Sequence, residues 1–355
     1  VQLASVEVIP YALPFERPYV TARGTLRQRE MVLLRLRDED GVVGLGEAVP
    51  LSLRGGASLE QVVRELEGWA EQRELRGLSA PARCAISTAE MDLLGRRVAD
   101  EGDGEDEAVP CNATLVAGEP KAVAADAEAW AQDGFTTFKL KLGAETAKTD
   151  DMGQVSRSRE SDVEQVRVVR EALGSGVRIR VDANEAWDLE TAKQALAELE
   201  PYEIELAEQP VGGLEEMAEL AAATSIPLAA DESVTSLDEA ERAVALGACA
   251  YTGIKLSKVG GPEEALAIAD VLPAYITSAL DGPVGIAAGA QVALSLTETG
   301  HPERLELAHG LATQRLFAST IASVECELCD GMLHLPPGPG LGVEIDEDAL
   351  QAHRL

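Results

Sequence analysis

Aromatic residues are scarce in this 355-residue chain, at 3%, so a core has to be built from Ala, Leu, Val and Ile within a hydrophobic share of 46%. No apolar run approaches the ~20 residues needed to cross a bilayer. Residues 1–10 lack the basic-then-apolar order of a secretory leader. Cysteine is sparse and odd in number: Cys84, Cys111, Cys249, Cys326 and Cys329. Such scatter reads as reduced thiols of a cytoplasmic protein rather than a disulfide framework, and Cys326-x-x-Cys329 lacks the second pair that a zinc site would need. Positive charge is outnumbered, with 30 Lys and Arg against 62 Asp and Glu and a net charge of −32. That balance argues against nucleic acid and anionic membranes as partners. Only seven residues are lysine, and four of them, Lys139, Lys141, Lys255 and Lys258, fall in two short segments that read as strand ends.

Residues 6–13 and 31–37 have strand-like apolar patterns, and 38–41 supplies a turn into a third strand at 42–45. Helical spacing follows at 58–69 and 82–97, with Ser58 and Gln61 placed for a capping box. Residues 101–107 read as an acidic linker or exposed loop. From Cys111 onward the texture alternates. Strands are expected at 112–116, 136–142, 177–181, 203–207, 227–230, 251–256, 275–278 and 305–308. Amphipathic helices are expected between most of them, at 122–132, 163–172, 189–198, 214–223 and 237–246. About eight alternations are the mark of a (β/α) barrel rather than a doubly wound sheet. Residues 146–162 are polar and break the rhythm, as a mobile insertion would. The Pro-Gly-rich tail, 330–345, reads as a loop that returns to the N-terminal unit. The division expected is therefore an α+β domain from residues 1–108 with 325–355, and a barrel from 109–324.

Three acids stand at the ends of expected strands: Asp182, Glu208 and Asp231, separated by 26 and 23 residues, with Lys255 another 24 further on. One βα unit takes about that length, since eight units fill roughly 250 residues. All four therefore reach the same height, at the C-terminal mouth. Singly, each acid reads as a helix cap or a solvated loop carboxylate. Three in register repel one another, and a divalent cation is the simplest compensation. Hard oxygen ligands point to Mg²⁺, with Mn²⁺ as the alternative. Lys139 and Lys141 lie two apart on one strand and share a face. A desolvated lysine beside another cation has a lowered pKa and can act as a base near neutrality. Lys255 approaches from the opposite side of the barrel. The plainer reading is that these lysines only neutralise the acids.

Lys139-Leu140-Lys141, Asp182-Ala183-Asn184, Glu208-Gln209-Pro210, Asp231-Glu232-Ser233 and Ile254-Lys255 with Gly260-Gly261 together resemble the muconate-lactonizing branch of the enolase superfamily. Gly44-Leu45-Gly46-Glu47 and the Pro-Gly tail are similar too, so the resemblance spans nearly the whole chain. It implies a (β/α)₇β TIM-like barrel under a capping domain made from both chain ends. It also implies abstraction of a proton α to a carboxylate, with Asp182, Glu208 and Asp231 as metal ligands.

Within the branch, dipeptide epimerases tend to carry Asp-x-Asp after the eighth strand, where this chain reads Leu307-Ala308-His309-Gly310-Leu311. Residues 277–281, Val284-Gly285 and 308–313 most resemble the o-succinylbenzoate synthases of menaquinone biosynthesis, as does the segment from Leu13-Pro14-Phe15 to Arg23-Gly24. Asp281 stands where that group often has Glu, and Gly282-Pro283 follows it. The resemblance implies a lyase in which Lys141 is the base, Lys255 stabilises the anion, and Lys139 assists Lys141 and contacts the carboxylate. Arg23, Asn184, Ser278, Asp281 and His309 fall on the substrate side, His309 as a pocket-lining or structural group. The alternatives are an N-acylamino acid racemase or dipeptide epimerase, then a muconate-type cycloisomerase, then a non-catalytic binding protein. A small-molecule carboxylate is the expected partner, and a homo-oligomer is compatible with the sequence.

Overall fold

Three antiparallel strands open the chain: β1 (Leu3–Thr21), β2 (Gly24–Asp38) and β3 (Val43–Ala48), in that spatial order. The structure, a computed structural model, describes residues 2–21, 24–52, 55–98, 107–116, 118–143, 159–298 and 307–355. β1 runs well past the expected end at residue 13, pairing with β2 as far as Thr21 and Gly24, with an irregularity between Pro14 and Tyr19. It lies at the sheet edge, where Pro10, Pro14 and Pro18 are tolerated because half of an edge strand's ladder bonds are not needed. The unbroken apolar run in β2 is explained by burial on both faces. Met31 and Leu33 join the main core that includes the barrel, whereas Val32, Leu34 and Leu36 pack with α1 (Leu59–Gln72) and α2 (Ala80–Val98). A Cβ at Gly46 would sit 1.9 Å from the Ala85 carbonyl oxygen, so only glycine lets β3 lie this close to α2. Ser58 caps α1, accepting the Gln61 amide at 3.3 Å; the Gln61 side chain turns to Glu65 (2.8 Å), so the capping box forms by half. The linker expected at 101–107 lies, Glu107 apart, outside the described residues.

After β4 (Ala108–Pro110) the alternation begins. It runs β5 (Ala113–Leu115), α3 (Pro120–Gln132), β6 (Thr137–Lys141), α4 (Arg159–Leu173), β7 (Arg178–Asp182), α5 (Leu189–Leu199), β8 (Ile204–Glu208) and α6 (Leu214–Ala221). It continues through β9 (Leu228–Ala230), α7 (Leu237–Leu246), β10 (Tyr251–Ile254), α8 (Leu256–Val259), α9 (Pro262–Val271), β11 (Ala274–Ile276) and α10 (Pro283–Glu298). Strands β5 to β11 form one parallel sheet in sequential order. The segment at 307–310 closes it. His309 N–H donates to the Pro110 carbonyl (2.7 Å) and its own carbonyl accepts from Asn112 (2.9 Å). On the other side Gly310 N–H donates to Ile276 (2.8 Å) and its carbonyl accepts from Ser278 (3.0 Å). The sheet is thus a TIM-like barrel with a capping unit at its N-terminus. Of the eighth strand expected at 305–308, the first two residues lie outside the described ones, and the pairing is made by His309 and Gly310.

Two expectations change. Residues 159–162, read as part of a mobile insertion, already belong to α4; Asp162 is buried and accepts the Gly143 amide at 3.1 Å, which anchors the helix start to the end of β6. The rest of that insertion, up to 158, lies outside the described residues. The tail is more ordered than a loop. β13 (Glu327–Cys329) pairs with β14 (Met332–His334), which pairs with β4, and β12 (Ala322–Val324) pairs with β15 (Glu344–Ile345) before α11 (Glu347–His353). It packs on the first sheet through Leu355 N–H to the Pro10 carbonyl (3.0 Å) and Arg35 to Glu347 (2.6 Å). All five cysteines are free thiols.

Asp92 on α2 ties both chain ends together. Fully buried, it accepts from the Leu45 amide (2.8 Å), the Leu341 amide (2.7 Å) and the Arg96 guanidinium (3.0 Å). Asp92→Ala strands two buried amides and a charge, and should cost roughly 3 kcal/mol. A lower urea midpoint at unchanged slope is the expected reading in equilibrium unfolding.

Candidate active site

Strand register alone gathers the chemistry. Lys141 pairs with Asp182 across β6 and β7, and Asp182 with Glu208 across β7 and β8. Asp182 and Glu208 are the last residues of their strands, while Asp231 and Lys255 stand one residue past β9 and β10. The three acids are buried to within 1% of full enclosure. Each is met by ammonium. Lys139 Nζ lies 3.1 Å from both Glu208 oxygens and 3.3 Å from Asp182; Lys141 bonds Asp182 and, at 3.2 Å, Asn184 Oδ1. Lys255 bonds Asp231, and Lys258 donates to the Asp231 carbonyl (2.6 Å) and to Oδ1 (3.1 Å).

Burial alone would push Asp182 up, but the ammoniums of Lys141 and Lys139 outweigh it and hold its carboxyl well below the usual range. Glu208 is raised, first by burial and then by the charge of Asp182, to which it is hydrogen-bonded. The two acids therefore ionise in sequence, as crowded like charges must. The resemblance casts Lys139 as the neighbouring cation that lowers Lys141, and Lys139 itself is held in its charged form. Burial pulls it down, but Glu208, Asp182 and Asp231 together raise it above its ordinary value.

The donor set fits a hard divalent cation: three buried carboxylates at the ends of adjacent strands, with hard oxygen donors throughout. Lys139 Nζ, bridging Asp182 and Glu208, shows that positive charge is already accommodated there. Among the described residues no three acids converge on one point, because each carboxylate is turned to its ammonium. A bound cation would compete with the lysines for the same oxygens.

Of the remaining expected residues, Arg23 lies outside the described ones. Asn184 sits at the mouth at φ 48°, its Nδ2 donating to Glu232 (3.2 Å). Ser278 and Asp281 are buried in the loop after β11 and bond each other. His309 is buried in the barrel wall, where its Nδ1 accepts the Ile276 amide (3.0 Å); burial, then Arg180, lowers its pKa to about 3, so the ring is neutral. A cavity of about 680 Å³ lies to one side, between α3, the β13–β14 hairpin and the segment at 314–320; of the residues above it touches only Asp281.

Three side chains were given no role in the sequence reading. Tyr275 on β11 donates its hydroxyl to Glu208 Oε2 at 2.5 Å, and its ring lies under the Arg180 guanidinium, 5.0 Å away. Arg180, fully buried two residues before Asp182, also bonds Glu205 and the Ala308 carbonyl (2.6 Å). Gln209 accepts the Asp231 amide (2.9 Å), linking the ends of β8 and β9. The signal for Arg180 was available: a charge at i−2 from an inward acid faces inward too.

With that geometry in view, residues 122–349 match the enolase C-terminal domain-like family, and residues 4–100 match the mandelate racemase / muconate lactonizing enzyme N-terminal domain. The chain belongs to the enolase superfamily, in its muconate-lactonizing branch. Muconate cycloisomerase 1 of Acinetobacter baylyi is 29% identical over 391 residues, covering 99% of both proteins. The o-succinylbenzoate synthase of Thermobifida fusca is 35% identical over 246 residues, 68% of this chain and 69% of that one. The solved dipeptide epimerase of Cytophaga hutchinsonii, complexed with Mg and D-Ala-L-Val, aligns with a TM-score of 0.85 at 26% identity over 99% of this chain and 98% of that one. Members of the superfamily are enzymes; these relatives, at similar distance, run different reactions on one scaffold.

Tyr275→Phe removes one hydrogen bond to a buried acid and should destabilise the protein by about 1–3 kcal/mol. Thermal unfolding at neutral pH checks it, and Tyr251→Phe, on the neighbouring strand, is the control.

Proposed function

We propose that the chain is an o-succinylbenzoate synthase-type dehydratase, a lyase of menaquinone biosynthesis acting in the cytoplasm on a small-molecule carboxylate. The observation that carries this reading is the chemistry after the last two strands. Among the described residues at 277–282 and 307–313 the one acid is Asp281, and its Oδ2 is engaged by the Ser278 hydroxyl and the Ala279 amide, each at 2.7 Å. A dipeptide's ammonium group finds no free carboxylate there, whereas a succinyl-hydroxycyclohexadiene carboxylate has no ammonium group and needs none. The 35% identity to a synthase supports the same choice. The division into 1–108 with 325–355 and 109–324 is part of this reading, supported by the tail's contacts with β1 and α2.

Asp182, Glu208 and Asp231 would hold Mg²⁺, or Mn²⁺ in its place. The bound ion supplies fixed positive charge beside the substrate carboxylate, where negative charge grows as the α-proton leaves. Lys141, released from Asp182, takes that proton as a neutral amine. The electron pair forms the new ring double bond as the carbon–hydroxyl bond breaks, and Lys141 returns the proton to the departing hydroxide, so water leaves from the same face. Lys255, across the barrel, faces the delocalised anion with its ammonium. Lys139 keeps its proton beside Glu208 and Asp182 and contacts the carboxylate.

A second reading follows from β6 and β10 standing on opposite sides of the barrel. Lys141 ends the first of these strands and Lys255 follows the second, which would suit a two-base racemase or epimerase.

Turnover of a succinyl-hydroxycyclohexadiene carboxylate with Mg²⁺, run beside N-succinyl amino acids and dipeptides, separates the two. Metal-dependent aromatisation without racemisation is the expected result; racemisation alone would overturn the substrate and keep the lysine roles. Lys141→Ala should lower kcat by about 10²–10⁴-fold, the usual worth of a general base. Saturating Mg²⁺ should raise the Tm, by the equivalent of about 2.7 kcal/mol at 100 times Kd. Lys141→Ala should keep that shift and Glu208→Gln should lose it.

A further inference from the structure

The loop after β11 is held from outside the barrel. Glu47, on β3 of the capping unit, is 1% exposed and 235 residues away from that loop in sequence. Its Oε1 accepts the Gly282 amide at 2.7 Å, its carboxylate also accepts the Gly285 amide, and its Oε2 accepts the Tyr11 hydroxyl at 2.7 Å. Gly282 immediately precedes α10, and Gly285 lies in its first turn, so the carboxylate occupies the place of an N-cap. The first turn of α10 has no acidic residue of its own, and Glu47 supplies the negative charge that a helix N-terminus favours.

The fit depends on two glycines. A Cβ at Gly282 would lie 2.4 Å from the Tyr11 hydroxyl and 2.7 Å from Glu47 Oε2; one at Gly285 would lie 2.7 Å from Glu47 Oε1. Gly282-Pro283, unusual as sequence, makes sense as the gap through which the acid reaches the helix end. The same loop carries Leu280 at φ 67°, a conformation that costs free energy in a non-glycine residue and needs outside support. Its Asp281 is turned inward by Ser278 and Ala279, with the Ser257 hydroxyl at 3.5 Å. Burial and the charge of Asp281 raise Glu47 to about 7, against the hydrogen bonds from Tyr11, Gly282 and Gly285. An acid this deeply buried carries a desolvation cost that its hydrogen bonds must offset.

We propose that Glu47 is a positioning residue: by capping α10 across the domain boundary, it fixes the Ser278–Gly282 loop over the substrate side of the barrel mouth. This rests on the reading that Ser278 and Asp281 face substrate. The capping unit then contributes to the site through backbone placement.

The test uses the full chain as wild type, Glu47→Ala, Glu47→Gln and Tyr11→Phe. Hydrogen–deuterium exchange of residues 278–286 is measured without substrate, and kcat and KM are measured with Mg²⁺ and the substrate wild type turns over. Glu47→Ala should speed exchange at 278–286 at least tenfold, leave exchange at 228–234 and Mn²⁺ affinity unchanged, and raise KM more than it lowers kcat. Glu47→Gln, which retains an acceptor for the glycine amides, should recover most of both effects. Unchanged exchange at 278–286 in Glu47→Ala overturns the proposal, as does accelerated exchange with KM within twofold of wild type. If Glu47→Ala does not fold, Tyr11→Phe decides, with faster exchange at 278–286 expected and wild-type exchange refuting. Failure of wild type to aromatise the cyclohexadiene substrate defeats the proposed function alone, because the exchange measurement involves no substrate.

Discussion

Charge compensation at the ends of neighbouring parallel strands is the constraint on which the barrel mouth depends. A buried carboxylate without a partner costs several kcal/mol, and here three stand on adjacent strands. Parallel register makes this unavoidable once the acids are placed, because Asp182 and Glu208 are paired residues and Asp231 follows on the next strand. Lys139 and Lys141 enter from one side, and Lys255 and Lys258 from the other. The same electrostatics that let the acids be buried make the place receptive to a cation and make lysine available as a base when its carboxylate is engaged elsewhere.

Backbone strain is concentrated where these side chains are aimed. Asn184 and Glu185 after β7, Gln209 after β8 and Leu280 after β11 all have positive φ without being glycine. Such residues persist only when their surroundings over-determine them. Gln209 is held by the Val211 carbonyl and by Ser233, and in turn receives the Asp231 amide. The loop with Leu280 is held by Glu47. The mouth is thus stiffened by polar contacts between successive strand ends on one side and by the capping unit on the other. The scarcity of aromatic residues gives Tyr275 added weight, since it fills the barrel interior and carries a hydroxyl to Glu208.

Much of this architecture was legible in the chain. Seven of the eight barrel strands fall within about two residues of where alternation placed them, because a strand buried on both faces leaves an apolar run that turn residues bound clearly. The spacing of Asp182, Glu208, Asp231 and Lys255 was readable because a βα unit has a nearly constant length. The extension of β1 to Thr21 was not, because Pro14 and Pro18 argue against a strand unless its edge position is known. The early start of α4 was hidden by polar composition and the strands in the tail by its Pro-Gly-rich run, which tertiary contacts such as Asp162 to the Gly143 amide override.

By itself, the sequence determined the barrel, the height of the acids and the pairing of two lysines on one face, since all of these follow from local periodicity and element length. Only the tertiary structure decided that Lys139 is held charged between Glu208 and Asp182, that Tyr275 reaches Glu208, and that Glu47 caps a helix of the other layer. Each of these joins residues tens to hundreds of positions apart, and no local pattern encodes which buried donor meets which buried acceptor once the layers pack.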